Sequence, residues 1–249
     1  EVPPEWNVEE AFKENKIGKK IIDVKENNLH LVSYSDSFEG TCSALELKKH
    51  LFTIPSKPDW IPYRTSYYKN SWGFCVKHSL LQSKDFIEPF KVKIKVRKDN
   101  KGSLTYAEAI KKGQSDKEII LSTYCCHPSM ANDNLSGLIV ACLLFRYISS
   151  FDTRYSYRLL IAPETIGTIC FLKNANLKKI VGGSIFTTLG GESKFSFKES
   201  FEAKSWLNKI STLCIEEFTN KNYIKYPFSP SGSDERQFSS PGVRIETPS

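Results

Sequence analysis

Three apolar runs separated by helical patterns constrain the fold of this chain more than any other feature of its sequence. The run KEIILSTY at residues 117–124 has a β-branched centre and almost no alternation, and the apolar runs YRLLIA at 157–162 and 180–188 predict a second and a third strand. Such runs are typical of strands that are buried on both faces of a sheet. The segments 135–149, 169–175 and 204–219 have the apolar spacing of helices. Strand and helix therefore alternate, which predicts a wound α/β sheet.

The first half of the chain has a different texture. Residues 8–15 are polar and predict a short helix, while the apolar runs at 20–24 and 29–34 predict strands. The segment 43–52 has helical spacing and begins with Ser43, a residue type that caps helices. The run FKVKIKV at 90–96 alternates strictly, which predicts a half-buried strand with a lysine face outward.

This change of texture predicts two domains. We expect residues 45–112 to form a small inserted α+β domain, and residues 1–44 together with 113–249 to form the α/β domain that it interrupts. The chain begins without a methionine and ends just after a strand-like turn, so both ends of the α/β domain look like cuts through a longer protein.

Charge and cysteine usage bound the partners and the compartment. The formal net charge is +7, but the lysines are scattered and no arginine-rich patch with aromatics is present, so we expect no nucleic-acid partner. No apolar run approaches the roughly 20 residues of a membrane span, so we expect no membrane partner. Seven cysteines, an odd number without a CxxC pair, predict reduced thiols and a cytoplasmic location.

Polar side chains follow the predicted strands. His127 and Asp133 come after the first strand, Glu164 after the second, and Asp234 with Glu235 before the final turn. Ligands of open α/β sheets bind outside the carboxyl ends of the strands. Imidazole and carboxylate bind zinc or a similar divalent ion, and a free carboxylate can transfer protons, so the set indicates a metal-assisted hydrolase.

Structural explanations of the same residues remain open. His127 could close a turn, and Asp133 could cap the following helix. Glu164 could sit at a helix N-terminus and interact favourably with the helix dipole.

The motif HPSMANDNLSG, followed about 30 residues later by PETIGT, resembles the zinc-dependent aminopeptidase superfamily of leucyl-aminopeptidase type. More closely, the chain resembles the aminopeptidase-like family found with bacterial surface-polysaccharide biosynthesis genes. The segments VPPEWNVEEAF, IPYRTSYYKNSWGFC, GSLTYAE and GSDERQFSSPG share this resemblance, which therefore covers nearly the whole chain. It implies a three-layer α/β fold with a wound mixed sheet of zinc-aminopeptidase (phosphorylase/hydrolase-like) type and a small inserted α+β domain.

The resemblance also implies roles for single residues. His127 corresponds to the first metal-binding histidine, Asp133 to the bridging aspartate, and Glu164 to the general base. Asn134 follows Asp133 where the superfamily often has a cis peptide. We assign Asp234, Glu235 and Arg236 of the GSDERQ motif to substrate binding.

This sequence departs from the superfamily pattern at several positions. Ser129 replaces the acid that orients the histidine, and Thr165 replaces a metal-binding glutamate. Thr187, Thr188 and Gly190 occupy the region where a third-strand aspartate is expected. The last metal-binding histidine would lie beyond Ser249. These departures predict a single zinc or similar divalent ion on His127 and Asp133, bound weakly by this part of the protein alone.

Aromatic residues of the inserted region give a further hypothesis. Tyr67, Tyr68, Trp72 and His78 would form a lid or a specificity wall over the site, and Tyr67, Tyr68 and His78 would bind substrate. The alternative is a small core of the inserted domain, above all for Trp72 and Phe74.

The main functional hypothesis is a metal-dependent hydrolase of aminopeptidase type that cleaves an amide in a small peptide or an amino sugar. The alternative is a catalytically impaired homologue that acts as a binding or scaffold component in glycan assembly. A third, weaker hypothesis is a transferase that acts on an amino sugar. The sequence leaves the substrate, the metal and the oligomeric state open, a homo-oligomer included.

Overall fold

A computed structural model of the chain describes residues 3–127, 129–229 and 232–249. The chain divides into two compact units, Glu1–Ser103 and Leu104–Ser249. Each unit is described here by itself.

The first unit is built around an antiparallel sheet with the strand order β2-β1-β6-β3. Two short strands, β4 and β5, pair in parallel beside it. Its elements in chain order are β1 (Glu5–Glu14), β2 (Lys20–Asp23), β3 (Phe38–Cys42), α1 (Ala44–Lys48), β4 (Leu51–Phe52), β5 (Phe74–Cys75) and β6 (Phe90–Asp99).

Two sequence predictions in this unit are wrong. Residues 8–15 are predicted to be helical, but 8–14 belong to the long strand β1, which pairs with β6 along most of its length. The glutamates and Ala11 favour a helix locally, but pairing in the sheet outweighs that preference, as tertiary contacts often do. Residues 29–34, predicted to be a strand, instead contain a 3-10 turn at Asn28–His30 and isolated bridges to Phe74 and Thr65.

The helix predicted over residues 43–52 is shorter than expected, because it ends at Lys48 and Leu51–Phe52 form β4, but its cap and the strand at 90–96 are confirmed. Ser43 caps α1, accepting a hydrogen bond from the Glu46 backbone while the Glu46 side chain binds the Ser43 backbone in return. The alternating run at 90–96 lies in β6, with Phe90 and Val92 completely buried.

Aromatic residues at 72 and 74 serve the core of the first unit. Phe74 is completely buried, and Trp72 packs against the core and stacks on Phe38 and His50. For these two residues the structure favours the core interpretation over a substrate lid.

A parallel sheet with one antiparallel edge strand organises the second unit. The strand order is β10-β8-β9-β7, in which β10, β8 and β9 run parallel and β7 runs antiparallel to β9. A short parallel pair, β11 with β12, lies apart from this sheet. The elements are β7 (Ala107–Lys111), β8 (Glu118–Tyr124), α2 (Leu135–Ile148), β9 (Ser156–Ala162), α3 (Ile166–Asn174), β10 (Ile180–Ile185), β11 (Ser196–Lys198), α4 (Trp206–Thr219), β12 (Ile224–Tyr226) and α5 (Asp234–Phe238).

Successive residues along β8, and likewise along β9, point to opposite faces of this sheet, and each face has its own core. Ile120 and Leu160 pack on one face with Phe171 of α3 and Phe238 of α5. Leu121 and Leu159 pack on the other face with Ala141 of α2. Burying each such side chain contributes about 1.5–3 kcal/mol. Helices therefore cover both faces of a mixed sheet, which confirms the predicted three-layer α/β fold.

The compact units do not coincide with the domains predicted from the sequence. Residues 1–44 belong to the first unit, because β1 and β3 both pair with β6. β7 belongs to the second unit, because it pairs with β9. The first unit thus ends at Ser103 rather than at residue 112.

Among the described residues, no helix combines the length and the apolar character that crossing a membrane requires.

Gly137 sets how closely α2 approaches the sheet. A Cβ atom at this position would lie 2.4 Å from Asn134 Oδ1 and 2.4 Å from the Phe186 carbonyl oxygen. We expect Gly137→Ala to lower the free energy of unfolding of the second unit by about 1–3 kcal/mol, although alanine favours helices. Urea unfolding measures the change. Cys214→Ala, on the exposed face of α4, is the control, and equal stabilities of the two variants would contradict the expectation.

Candidate active site

The loops that follow three parallel strands meet at one edge of the sheet in the second unit. Tyr124 at the end of β8 pairs with Ala162 at the end of β9, and Ser122 pairs with Ile185 at the end of β10. One residue in each following loop has a positive φ angle: Ser129 at 55°, Thr165 at 62° and Thr188 at 52°. Such strained backbone concentrates at functional sites.

His127 and Asp133 face each other in the loop after β8. Nε2 of His127 lies 3.7 Å from Oδ2 of Asp133, with 20% of the His127 side chain and 58% of the Asp133 side chain exposed. The peptide bond between Asp133 and Asn134 is cis, as the resemblance implies. The two side chains therefore form an accessible pair of nitrogen and oxygen donors.

Tyr124 and Thr187 support Asp133 from the sheet. The Tyr124 hydroxyl donates to Asp133 Oδ1 at 2.8 Å and lies 2.7 Å from Thr187 Oγ1. Burial raises the pKa of Tyr124 above its ordinary value, and its hydrogen bond to Asp133 acts in the same direction. Tyr124 therefore remains a neutral donor to Asp133 at physiological pH.

Asn134 ties the loops after β8 and β10 together. It is completely buried, and its amide nitrogen donates to Thr123 Oγ1 at 3.0 Å and to the Phe186 carbonyl at 3.2 Å. Its Oδ1 accepts a hydrogen bond from the Thr188 N–H at 2.9 Å. This residue holds the loop that carries Asp133 against the sheet.

Glu164 follows β9 at the same edge. Its Oε1 accepts a short hydrogen bond from the Ser233 hydroxyl. Its charge and that of Asp133 both contribute to the raised pKa of Tyr124. The proposed base thus follows the strand next to the one that carries the proposed metal-binding pair.

Asp234 lies beneath the turn that carries Glu164 and Thr165, and not on the surface. It is completely buried, and its Oδ1 accepts a hydrogen bond from the Thr165 N–H at 2.8 Å. Burial raises the pKa of Asp234 to about 6, the Thr165 N–H lowers it, and the charge of Glu164 raises it. Asp234 was predicted to bind substrate, but its burial favours a role in positioning the turn that carries Glu164 and Thr165.

The other residues predicted to bind substrate have diverse surroundings. Glu235 is 5% exposed and paired with Lys198, so its carboxylate does not face solvent, whereas Arg236 is exposed.

Tyr67 and Tyr68 are exposed residues of the first unit. His78, also in the first unit, has Nδ1 3.0 Å from Thr53 Oγ1. Substrate contacts by Arg236, Tyr67, Tyr68 and His78 remain predictions.

The thiol of Cys126 is another group near Glu164 that could in principle bind a metal. Partial burial raises the pKa of the Cys126 thiol to about 11, a hydrogen bond from the Glu164 backbone lowers it, and the charges of Glu164 and Asp133 raise it. The protonated thiol is neither a nucleophile nor a metal ligand at neutral pH.

His127 Nε2 and Asp133 Oδ2 are spaced so that they could occupy two of the ligand positions around one divalent ion. Two ligands of one tetrahedral zinc ion stand about 3.4 Å apart, close to the 3.7 Å between His127 and Asp133. Within residues 3–127, 129–229 and 232–249, no group of three or more His, Cys, Asp or Glu side chains is arranged to hold a metal. The pair can therefore contribute two ligands, but the described residues do not complete a metal site.

Reasoning from the sequence missed Tyr124, Thr187 and Ser233. Tyr124 ends a buried strand, where a polar hydroxyl among apolar residues was the available signal. Ser233 lies inside the GSDERQ motif, directly before the acidic pair that received attention. Thr187 was noted only as the replacement of an aspartate, and its contact with Tyr124 depends on the pairing of β8 with β10.

Comparison with known proteins identifies the family to which the chain belongs. A family model described as "Domain of unknown function (DUF4910)" matches residues 5–248. A Clostridium acetobutylicum protein named as a polysaccharide biosynthesis protein with aminopeptidase-like domain is 44% identical over 249 residues, covering 98% of this chain and 56% of that protein. The crystal structure of a Clostridium acetobutylicum protein named as a peptidase matches with a TM-score of 0.93 and 42% identity, covering 99% of this chain and 58% of that one.

The chain thus spans less than two thirds of the length of these relatives. A zinc aminopeptidase from Bacillus subtilis matches with a TM-score of 0.62 and 12% identity, covering 99% of this chain and 72% of that one, a likeness of fold alone. These findings confirm the resemblance inferred from the sequence motifs. The chain therefore belongs to the DUF4910 family, and its fold is that of the zinc aminopeptidases.

Proposed function

We propose that this chain carries the catalytic core of an amide hydrolase of aminopeptidase type. The observation that carries the proposal is the placement of His127, Asp133 and Glu164 in loops after neighbouring parallel strands of one sheet. This edge is where open α/β sheets bind their ligands. The fold shared with a zinc aminopeptidase and the name of the Clostridium acetobutylicum peptidase support the same reaction class.

His127 Nε2 and Asp133 Oδ2 would hold a single divalent ion, with zinc the first candidate. When bound, the ion supplies Lewis-acid polarisation of the scissile carbonyl. Glu164 accepts the proton of the attacking water and passes it to the leaving amine. Ser233 orients this carboxylate by binding one of its oxygens, so the other oxygen carries the proton.

The substrate is a small peptide or an aminoacyl or N-acyl amide of an amino sugar, a choice that the name of the polysaccharide biosynthesis relative motivates. The exposed Arg236 can bind a carboxylate of such a substrate through its guanidinium group. We place the protein in the cytoplasm, because all seven cysteines are free thiols.

Chelation and restoration of metal test the proposal. We expect a chelator to abolish hydrolysis of aminoacyl and N-acyl-sugar amides by the full-length protein, and added zinc to restore it. Because His127 supplies a ligand, His127→Ala should lower the zinc-restored rate by about 100-fold or more. Lys91→Ala, at an exposed position of β6, is the control and should keep the wild-type rate. Hydrolysis that is unaffected by the chelator would contradict the proposal.

A second candidate is a binding component of a glycan-assembly system without catalysis. Its support is the absence, within the described parts of the chain, of a cluster of three or more metal-ligating side chains. Thr165 and Ser129, which replace expected carboxylates, agree with it. Metal analysis of the purified full-length protein separates the two candidates, because a transition metal bound in stoichiometric amount would contradict the second.

A further inference from the structure

The two carboxylate oxygens of Asp133 face different partners. Oδ2 lies 3.7 Å from His127 Nε2, whereas Oδ1 accepts the hydrogen bond from the Tyr124 hydroxyl at 2.8 Å. One oxygen is thus directed to the imidazole that would share a cation, and the other is directed to the sheet. A carboxylate held in this way offers a cation one oxygen rather than two.

Tyr124 is itself held in place. It is the last residue of β8 and only 6% exposed, and its hydroxyl oxygen lies 2.7 Å from Thr187 Oγ1 in the loop after β10. An ionised carboxylate only accepts hydrogen bonds, so the Tyr124 proton points to Asp133 and Thr187 donates to Tyr124. The two hydrogen bonds therefore run in one direction: Thr187 donates to Tyr124, and Tyr124 donates to Asp133.

We propose that Tyr124, supported by Thr187, is a positioning residue that orients Asp133 so that it offers a single oxygen ligand to the ion shared with His127. The inference rests on the proposed function, because it concerns the ion that His127 and Asp133 would bind. The Tyr124 hydroxyl binds Asp133 Oδ1, so that oxygen is held towards the sheet while Oδ2 faces His127. Groups that orient a ligating carboxylate in this way affect metal affinity about 10–100-fold.

The test is a zinc titration of the full-length protein against a chromophoric chelator, repeated with cobalt to record the visible spectrum. We expect the wild type to bind one equivalent. Tyr124→Phe should bind about 10–100-fold more weakly, and its cobalt spectrum should change, because Asp133 loses the partner that orients it. Thr187→Val should weaken binding less, because Tyr124 can still donate to Asp133.

Tyr157→Phe is the matched control, since Tyr157 lies at the opposite end of the neighbouring strand β9 and should behave as the wild type. Thermal melting of each variant identifies a change that acts by unfolding, and in that case Thr187→Val decides. Wild-type affinity and spectrum in both site variants would overturn the inference and leave the proposed function standing. Failure of the wild type to bind any zinc or cobalt would overturn both proposals.

Discussion

Glu164→Gln is expected to lower kcat for amide hydrolysis by the full-length protein by about 10²–10⁴-fold, with little change in KM. Glutamine has the size of glutamate, and its carbonyl oxygen can still accept the hydrogen bond from Ser233. It cannot take up the proton that a carboxylate removes from water. Steady-state kinetics on an aminoacyl amide, with zinc at saturation, measures the loss.

Ser233→Ala provides the comparison that separates proton transfer from orientation. It leaves the Glu164 carboxylate in place but removes the hydroxyl that binds its Oε1. A net loss of about 0.5–1.5 kcal/mol is typical of one hydrogen bond, so a rate loss of about tenfold is expected. Zinc affinity should stay at the wild-type value in both variants, since neither removes a proposed ligand. If Glu164→Gln retains the wild-type rate, the role assigned to Glu164 is wrong.

The arrangement of His127, Asp133 and Glu164 could be predicted because it depends on local patterns and one general rule. The runs that became β8 and β9 are apolar without alternation, and parallel strands end at the same edge of a sheet. Residues that directly follow such strands are therefore brought together whatever the remainder of the chain does.

The surroundings of Asp234 could not be predicted in this way. In the sequence Asp234 is one charged residue of an acidic pair, and charged residues are almost always exposed. Its burial depends on α5 packing against α3, which brings its Oδ1 to the Thr165 N–H across 69 residues of chain. The hydrogen bond from Tyr124 to Asp133 likewise requires the exact register of strand and loop, which no local pattern specifies.

Lys13 shows the same difficulty in the first unit. Its segment has the composition of an exposed polar helix, yet Lys13 lies in β1, completely buried, between the rings of Phe86 and Phe90. Its Nζ lies 3.8 and 3.9 Å from the centres of these rings and has no hydrogen-bond partner among the described residues. Burial lowers the pKa of Lys13 to about 7, and the nearby Cys42 thiol, the titratable group facing it, raises it slightly.

Lys13→Met should therefore raise the free energy of unfolding of the first unit by about 4 kcal/mol at pH 7, because lowering the pKa of the amine from 10.5 to about 7 costs about 1.4 kcal/mol for each pH unit. Methionine has a similar length and makes favourable contacts with aromatic rings. Urea unfolding followed by tryptophan fluorescence measures the change in a Trp206→Phe background, since the other tryptophans lie in the first unit. Lys91→Met, at an exposed position of β6, is the control and should change stability by less than about 0.5 kcal/mol.

The pH dependence of this difference distinguishes a buried amine from simple repacking. In the unfolded chain Lys13 has a pKa of 10.5, and in the folded unit its pKa is about 7. Between these values the unfolded state binds the extra proton, so wild-type stability gains up to about 1.4 kcal/mol per pH unit as the pH rises. Below pH 7 both states are protonated and the full penalty remains, whereas above pH 10.5 both are neutral and it disappears. The advantage of Lys13→Met should accordingly be largest below pH 7 and shrink steadily from pH 7 towards pH 10. A gap that stays constant over this range would mean that Lys13 carries the same charge in the folded and unfolded states.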